Sequence, residues 1–128
     1  MAITVETFLR TSSFYFRITV RYNDTKGYVD LNNAEDIIVY ILNQESGEVI
    51  AVKQLTQDSS AGYESIVFVD ASNGVMDVAM NPEDMVDSGG DLVDEGMYEY
   101  IVEVIEADSN FTGGEANFKA FGEAFILA

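Results

Sequence analysis

The chain has 128 residues, 23 of them acidic and six Lys or Arg, for a net charge of −17 with no cysteine and no histidine. That length makes a single domain able to bury roughly two-thirds of its unfolded surface, and a hydrophobic content of 48 % excludes disorder. Disulfides and thiolate metal sites are excluded, nucleic acid is disfavoured because phosphate contacts need Lys and Arg, and no apolar run reaches the length of a membrane span.

In chain order, residues 1–13 read as an N-terminal arm or edge strand, with Ile3 and Val5 alternating with Thr4 and Glu6. Phe14, Phe16, Ile18, Val20 and Tyr22 then alternate with Tyr15, Arg17, Thr19 and Arg21. A period of two predicts a strand with one buried and one wet face. Arg17 and Arg21 stand on the wet face, where local charge balance is their expected role, beside the alternative of a contact with a partner. Asn23 to Gly27 is a turn by its residue types. The apolar run Ile37–Leu42 is short and rich in β-branched residues, which predicts a strand covered on both faces. Gln44 to Gly47 turns the chain into a strand over Glu48–Thr56, and Gln57 to Gly62 reads as a polar loop.

A strand follows over Ser65–Asp70, and the Asn73-Gly74 pair predicts a tight hairpin in which both residues take positive φ. The returning strand is Val75–Met80. Asn81-Pro82-Glu83-Asp84, with Asn as N-cap, Pro at the first helical position and acids in the first turn, predicts a single helical turn. The loop from Asp87 to Asp94 leads into Gly96-Met-Tyr98-Glu-Tyr100, where Tyr98, Tyr100, Val102 and Val104 recur at every second residue. Asp94, Gly96 and Tyr98 have the spacing of the tyrosine corner of Greek-key sandwiches, in which the hydroxyl bonds back to backbone a few residues upstream. Thr112-Gly-Gly114 is a turn, and Phe118–Leu127 closes the chain as a strand with a bulge at Gly122. Seven to eight short strands, with one short helical turn near Pro82, predict an all-β, immunoglobulin-like Greek-key β-sandwich over residues 1–128.

Chemistry-bearing residues are scarce. Without His and Cys the usual nucleophile and base pairs are absent, and the expectation is a protein that is not an enzyme and holds no cofactor. The acids Asp84, Asp87, Asp91, Asp94 and Glu95 cluster in one loop, so calcium or another hard cation is a candidate ligand there, beside the alternative of a solvated acidic loop. At the two ends, Phe8, Leu9, Phe125, Ile126 and Leu127 carry little charge around them and are candidate assembly contacts.

Asp30-Leu31 and Ala34 before a strand, the Asn73-Gly74 hairpin, the turn from Asn81 to Asp84, Gly96-x-Tyr98-x-Tyr100 and the closing strand after Gly122 come in an order that resembles one family. It is the immunoglobulin-like N-terminal domain of tailed-virus baseplate upper proteins and related virion structural proteins, over roughly residues 14 to 127. Asn33 stands where that family often has Gly. The resemblance implies a virion structural protein that contacts other virion proteins in a homo- or hetero-oligomeric assembly. Its place would be as an adaptor in tail, baseplate or neck, or as a capsid decoration module. The opening residues lack the basic and apolar regions of a signal peptide, which fits synthesis in the host cytoplasm. The alternative is a free-standing host immunoglobulin-like domain that binds a protein or a carbohydrate.

The acidic residues are spread along the whole chain, and two readings of them compete: a solubilising surface, or adaptation to a high-salt host. Lysine scarcity favours the second. At molar salt the Debye length falls to about 3 Å, and self-repulsion of a highly charged domain nearly vanishes. The melting temperature is therefore expected to rise steeply between about 0.1 M and molar salt; a flat curve by scanning calorimetry would defeat the high-salt reading.

Overall fold

A computed structural model describes residues 6–21, 27–122 and 124–128, without the side chain of Phe121. The expected positions of Ile3, Val5 and Tyr22, and the turn residues 23–26, lie outside them. Among the described residues the chain forms nine strands: β1 Thr7–Phe8, β2 Phe14–Thr19, β3 Ala34–Asn43, β4 Val49–Gln54, β5 Ile66–Asp70, β6 Val75–Met80, β7 Gly96–Ala107, β8 Glu115–Phe121 and β9 Phe125–Leu127. One sheet has the order β1-β9-β7-β3-β4, with β8 also on β7, and the other has the order β2-β6-β5. Together they make an all-β sandwich.

β7 is the spine of the larger sheet. Along one side it pairs antiparallel with β3, from Ala34 opposite Glu106 to Asn43 opposite Tyr98. Its other side is shared: Gly96–Tyr98 pair with β9 and Ile101–Ala107 pair with β8. β8 and β9 are thus two halves of one interrupted strand, and the closing strand read from the sequence begins earlier and breaks at Gly122. The alternation of β2 is as predicted, with Phe16, Ile18 and Val20 buried and Tyr15, Arg17 and Thr19 exposed. They meet Ile37, Val39, Ile41, Val102, Val104, Met76 and Val78 in a single core.

Three expectations are corrected. The polar loop from Gln57 to Gly62 contains most of a short helix, α1 Leu55–Ser60, and β4 ends at Gln54. No apolar periodicity announces this helix, because a buried polar group organises it. The Asp58 carboxylate accepts from the Gln54 N–H (3.1 Å), the Tyr63 hydroxyl (3.1 Å) and the Ser65 hydroxyl. The hairpin at Asn73-Gly74 has only Gly74 at positive φ (75°), and Ala71–Asn73 form a 3-10 turn. Asp70 pairs with Val75 across it, so four residues rather than two make the connection. Glycine is still required, since a Cβ there would stand 2.4 Å from the Val20 carbonyl oxygen. Finally, β3 is covered unequally: Ile37, Val39 and Ile41 are fully buried, whereas Ile38 and Tyr40 on the other face are half-buried.

The helical turn at Pro82–Met85 forms as expected. Asp84 Oδ2 accepts from the Asn81 N–H (2.8 Å) and from Lys53 Nζ (2.7 Å), which ties this turn to β4.

The break at Gly122 has a steric cause. A Cβ there would lie 1.7 Å from the Tyr100 ring, which also packs on Phe16 at 5.5 Å between centroids. The ring cannot retreat without disturbing the inter-sheet packing. Gly122→Ala is expected to cost about 1–3 kcal/mol by overpacking, and chemical denaturation measures it; a cost near zero would mean that Tyr100 is free to turn away.

Candidate interaction surface

The tyrosine corner fixes the lower end of β7. The Tyr98 hydroxyl donates to the Asp94 carbonyl oxygen at 2.7 Å, and the ring is buried and stacked with Phe125 at 6.3 Å. Gly96 between them has φ 147°, a conformation open to glycine and strained for side-chain-bearing residues. Asp94, Gly96 and Tyr98 are therefore a structural unit, and they offer no free polar group to a ligand through the hydroxyl.

The acidic loop is engaged in local bonds. Asp84 is held by Lys53 and by the Asn81 N–H. Asp87 Oδ1 accepts from the N–H groups of Gly89 (2.9 Å) and Asp91 (3.1 Å), and Glu95 pairs with Arg10 at 3.0 Å. Among the described residues no three acids converge as a cation site, so the structure does not bring Asp84, Asp87, Asp91, Asp94 and Glu95 together for calcium.

The candidate assembly contacts separate. β1 runs parallel to β9, with Ile126 N–H donating to the Glu6 carbonyl (2.9 Å) and Ala128 N–H to the Phe8 carbonyl (2.9 Å). That register turns Phe125 and Leu127 into the core and lays Phe8 on Phe14, with ring centroids 4.2 Å apart. Phe8, Phe125 and Leu127 are thus used by their own domain, a correction to their reading as outward contacts. Leu9, 58 % exposed, and the half-buried Ile126 stay near the surface.

The sheet edges differ in a way the sequence reading missed. An edge strand presents unpaired backbone groups, and proteins blunt such edges with short length, outward or inward-pointing charges, proline or bulges. β1 has two residues. β2 carries Arg17 on its outer face, paired with Asp77 at 3.0 Å; this pair raises the guanidinium pKa further, through the hydrogen bond first and the charge second. β8 carries the exposed Lys119. β4 points Lys53 inward, 6 % exposed, against Asp84. β5 has no basic residue. Val67, Phe68 and Val69 are 36 %, 38 % and 45 % exposed, and a bulge between Phe68 and Asp70 interrupts its pairing with β6 only at the hairpin end.

The backbone of β5 shows which groups are open. The Ala79 N–H donates to the Ser65 carbonyl at 2.8 Å, so odd-numbered residues turn their polar groups toward β6. By alternation, Ile66 and Phe68 point theirs away from the sheet. The run Ile66-Val-Phe-Val69 lacks the polar alternation that would mark an edge in sequence, and a fully covered strand gives the same pattern. Its missing lysine was the available signal.

Other polar groups are structural. Burial pushes the Asp36 carboxyl up, but hydrogen bonds from the Gln54 amide (2.6 Å), Thr56 N–H and Ile37 N–H outweigh it and leave the pKa below the usual range. The Tyr63 hydroxyl is pushed up by its bond to Asp58 and that group's charge. A nucleophile beside a free base is not found among these clusters. No helix among the described residues is long and apolar enough to cross a membrane. No protein-family model matches the chain, and neither a curated protein nor a solved structure matches it.

Tyr98→Phe removes one part-buried hydrogen bond and leaves the Asp94 carbonyl near the surface of its loop. It is expected to cost about 1 kcal/mol in urea denaturation with the fold retained; no measurable loss would show that ring packing alone holds the corner.

Proposed function

We propose that this chain is a non-enzymatic structural module of a tailed virus of a halophilic host. It would act as an adaptor in the tail, baseplate or neck, or as a capsid decoration module, and hold its place by contacts with other virion proteins. The observation that carries an assembly role is the open edge of β5, where three successive apolar residues stand beside unpaired backbone groups. Such an edge is a hazard for an isolated domain and a docking rail in an assembly, where main-chain bonds give affinity and alternate side chains give specificity. The resemblance of the motif order to baseplate upper domains supports the virion setting, and the charge of −17 supports the high-salt host.

Particles purified from a culture that produces this chain should contain it in fixed stoichiometry by quantitative mass spectrometry. Val67→Lys, a substitution at an exposed position, should leave the circular dichroism spectrum unchanged and drop out of the particles. Absence of the chain from particles, or normal incorporation of the variant, would favour the free-standing host binding domain.

A further inference from the structure

We infer that the β5 edge accepts an extended segment of another protein, and that this segment is apolar at its centre and basic at both ends. The inference rests on the assembly reading above and adds the chemistry of the partner. The rail from Glu64 to Asp70 reads Glu-Ser-Ile-Val-Phe-Val-Asp, with exposed acids at its two ends and apolar side chains between. Ile66 and Phe68 offer outward backbone groups, while Val67, Phe68 and Val69 offer apolar surface.

Charge decides between the possible occupants. A second copy added antiparallel about Phe68 would set Ile66 against the partner copy's Asp70 and bring four carboxylates to the two ends of one short ladder. Like charges in cross-strand neighbourhood are destabilising, and each copy brings a further −17. A segment with Lys or Arg at both ends meets the same acids with opposite sign. Pairs in direct contact leave no room for ions between them and are screened less than longer-range charges, so register would survive in a halophilic cell.

Chemistry also separates β5 from the other edges. Each of β2, β4 and β8 carries a basic residue, Arg17, Lys53 and Lys119, and a basic strand approaching them meets like charge. Apart from the two-residue β1, the edge strand without such a residue among the described residues is the one framed by Glu64 and Asp70.

The test uses the full chain and two fluorescent peptides of alternating valine and threonine, one flanked by lysines and one by glutamates. In about 0.15 M salt, fluorescence anisotropy should show the lysine-flanked peptide binding at least about tenfold more tightly. Amide chemical-shift changes should centre on Ile66–Asp70. Val67→Lys should abolish binding, and the milder Val69→Thr keeps the question open to measurement should that variant fail to fold, since it should weaken binding without removing it. Equal affinity of the two peptides, shifts centred on another edge, or self-association of the chain through β5 would overturn the inference. If Val67→Lys is lost from particles while neither peptide binds, the assembly role stands and the basic-strand partner falls. If the lysine-flanked peptide binds at β5 and the variant still enters particles, the partner chemistry stands and the assembly role falls.

Discussion

The sandwich depends on one aromatic cluster that joins its two sheets and both of its ends. Phe8 from β1, Phe14 and Phe16 from β2, Tyr98 and Tyr100 from β7, and Phe125 from β9 contact one another with centroids 4.2–6.5 Å apart. In antibody domains a disulfide joins the sheets two residues after the corner tyrosine; here that place is Tyr100, and a chain without cysteine packs its ring against Phe16 instead. A disulfide stabilises by about 2–4 kcal/mol, and each aromatic pair adds about 0.5–1.5 kcal/mol beyond area burial. A few such pairs are therefore an adequate replacement. The cost is steric: the Tyr100 ring occupies the space of a side chain at Gly122, and the closing strand divides into β8 and β9 at that point.

That division determines what the N-terminal arm does. β9 covers only the first three residues of β7, which leaves its far side open to β1 in parallel pairing. Phe8 can then reach Phe14 and Phe125, and the ends of the chain become part of the core that they flank. Apolar termini that read as exposed assembly contacts in sequence are thus consumed within the domain. Three successive exposed apolar residues remain on the other sheet, at β5.

The parts of the fold legible in sequence were those set by local rules. The alternation of Phe14 to Val20 and of Tyr98 to Val104, the turn capped by Asn81 and Asp84, and the Asp94-x-Gly96-x-Tyr98 spacing each depend on a few neighbouring residues. What escaped was set by polar contacts that leave no apolar pattern and by the order of strands in the sheets. The α1 helix is organised by Asp58 reaching Gln54, Tyr63 and Ser65, none of which forms an apolar pattern. The exposure of β5 follows from sheet order, because the same Ile-Val-Phe-Val run would be buried in a central strand. The acids of the loop from Asp84 to Glu95 were legible as a cluster but not as individuals, since backbone N–H groups, Lys53 and Arg10 take up Asp84, Asp87 and Glu95.

Basic residues are so few here that their placement is informative. Lys53 is buried at an edge, where removing two charges from water costs several kcal/mol and its pairing with Asp84 offsets that cost without a clear net gain in stability. An inward-pointing charge is more readily understood as protection, because a strand docking beside β4 would have to displace or bury it further. Arg17 and Lys119 serve the same purpose on β2 and β8 from the solvent side. At low salt the −17 charge would itself keep copies apart and shield every edge, guarded or not. At molar salt that long-range repulsion is screened within about 3 Å, and only local devices remain. A protein working there needs each edge closed individually, and β5, longer than the two-residue β1 and without the basic residue of β2, β4 and β8, is then the place where pairing with another chain meets least resistance.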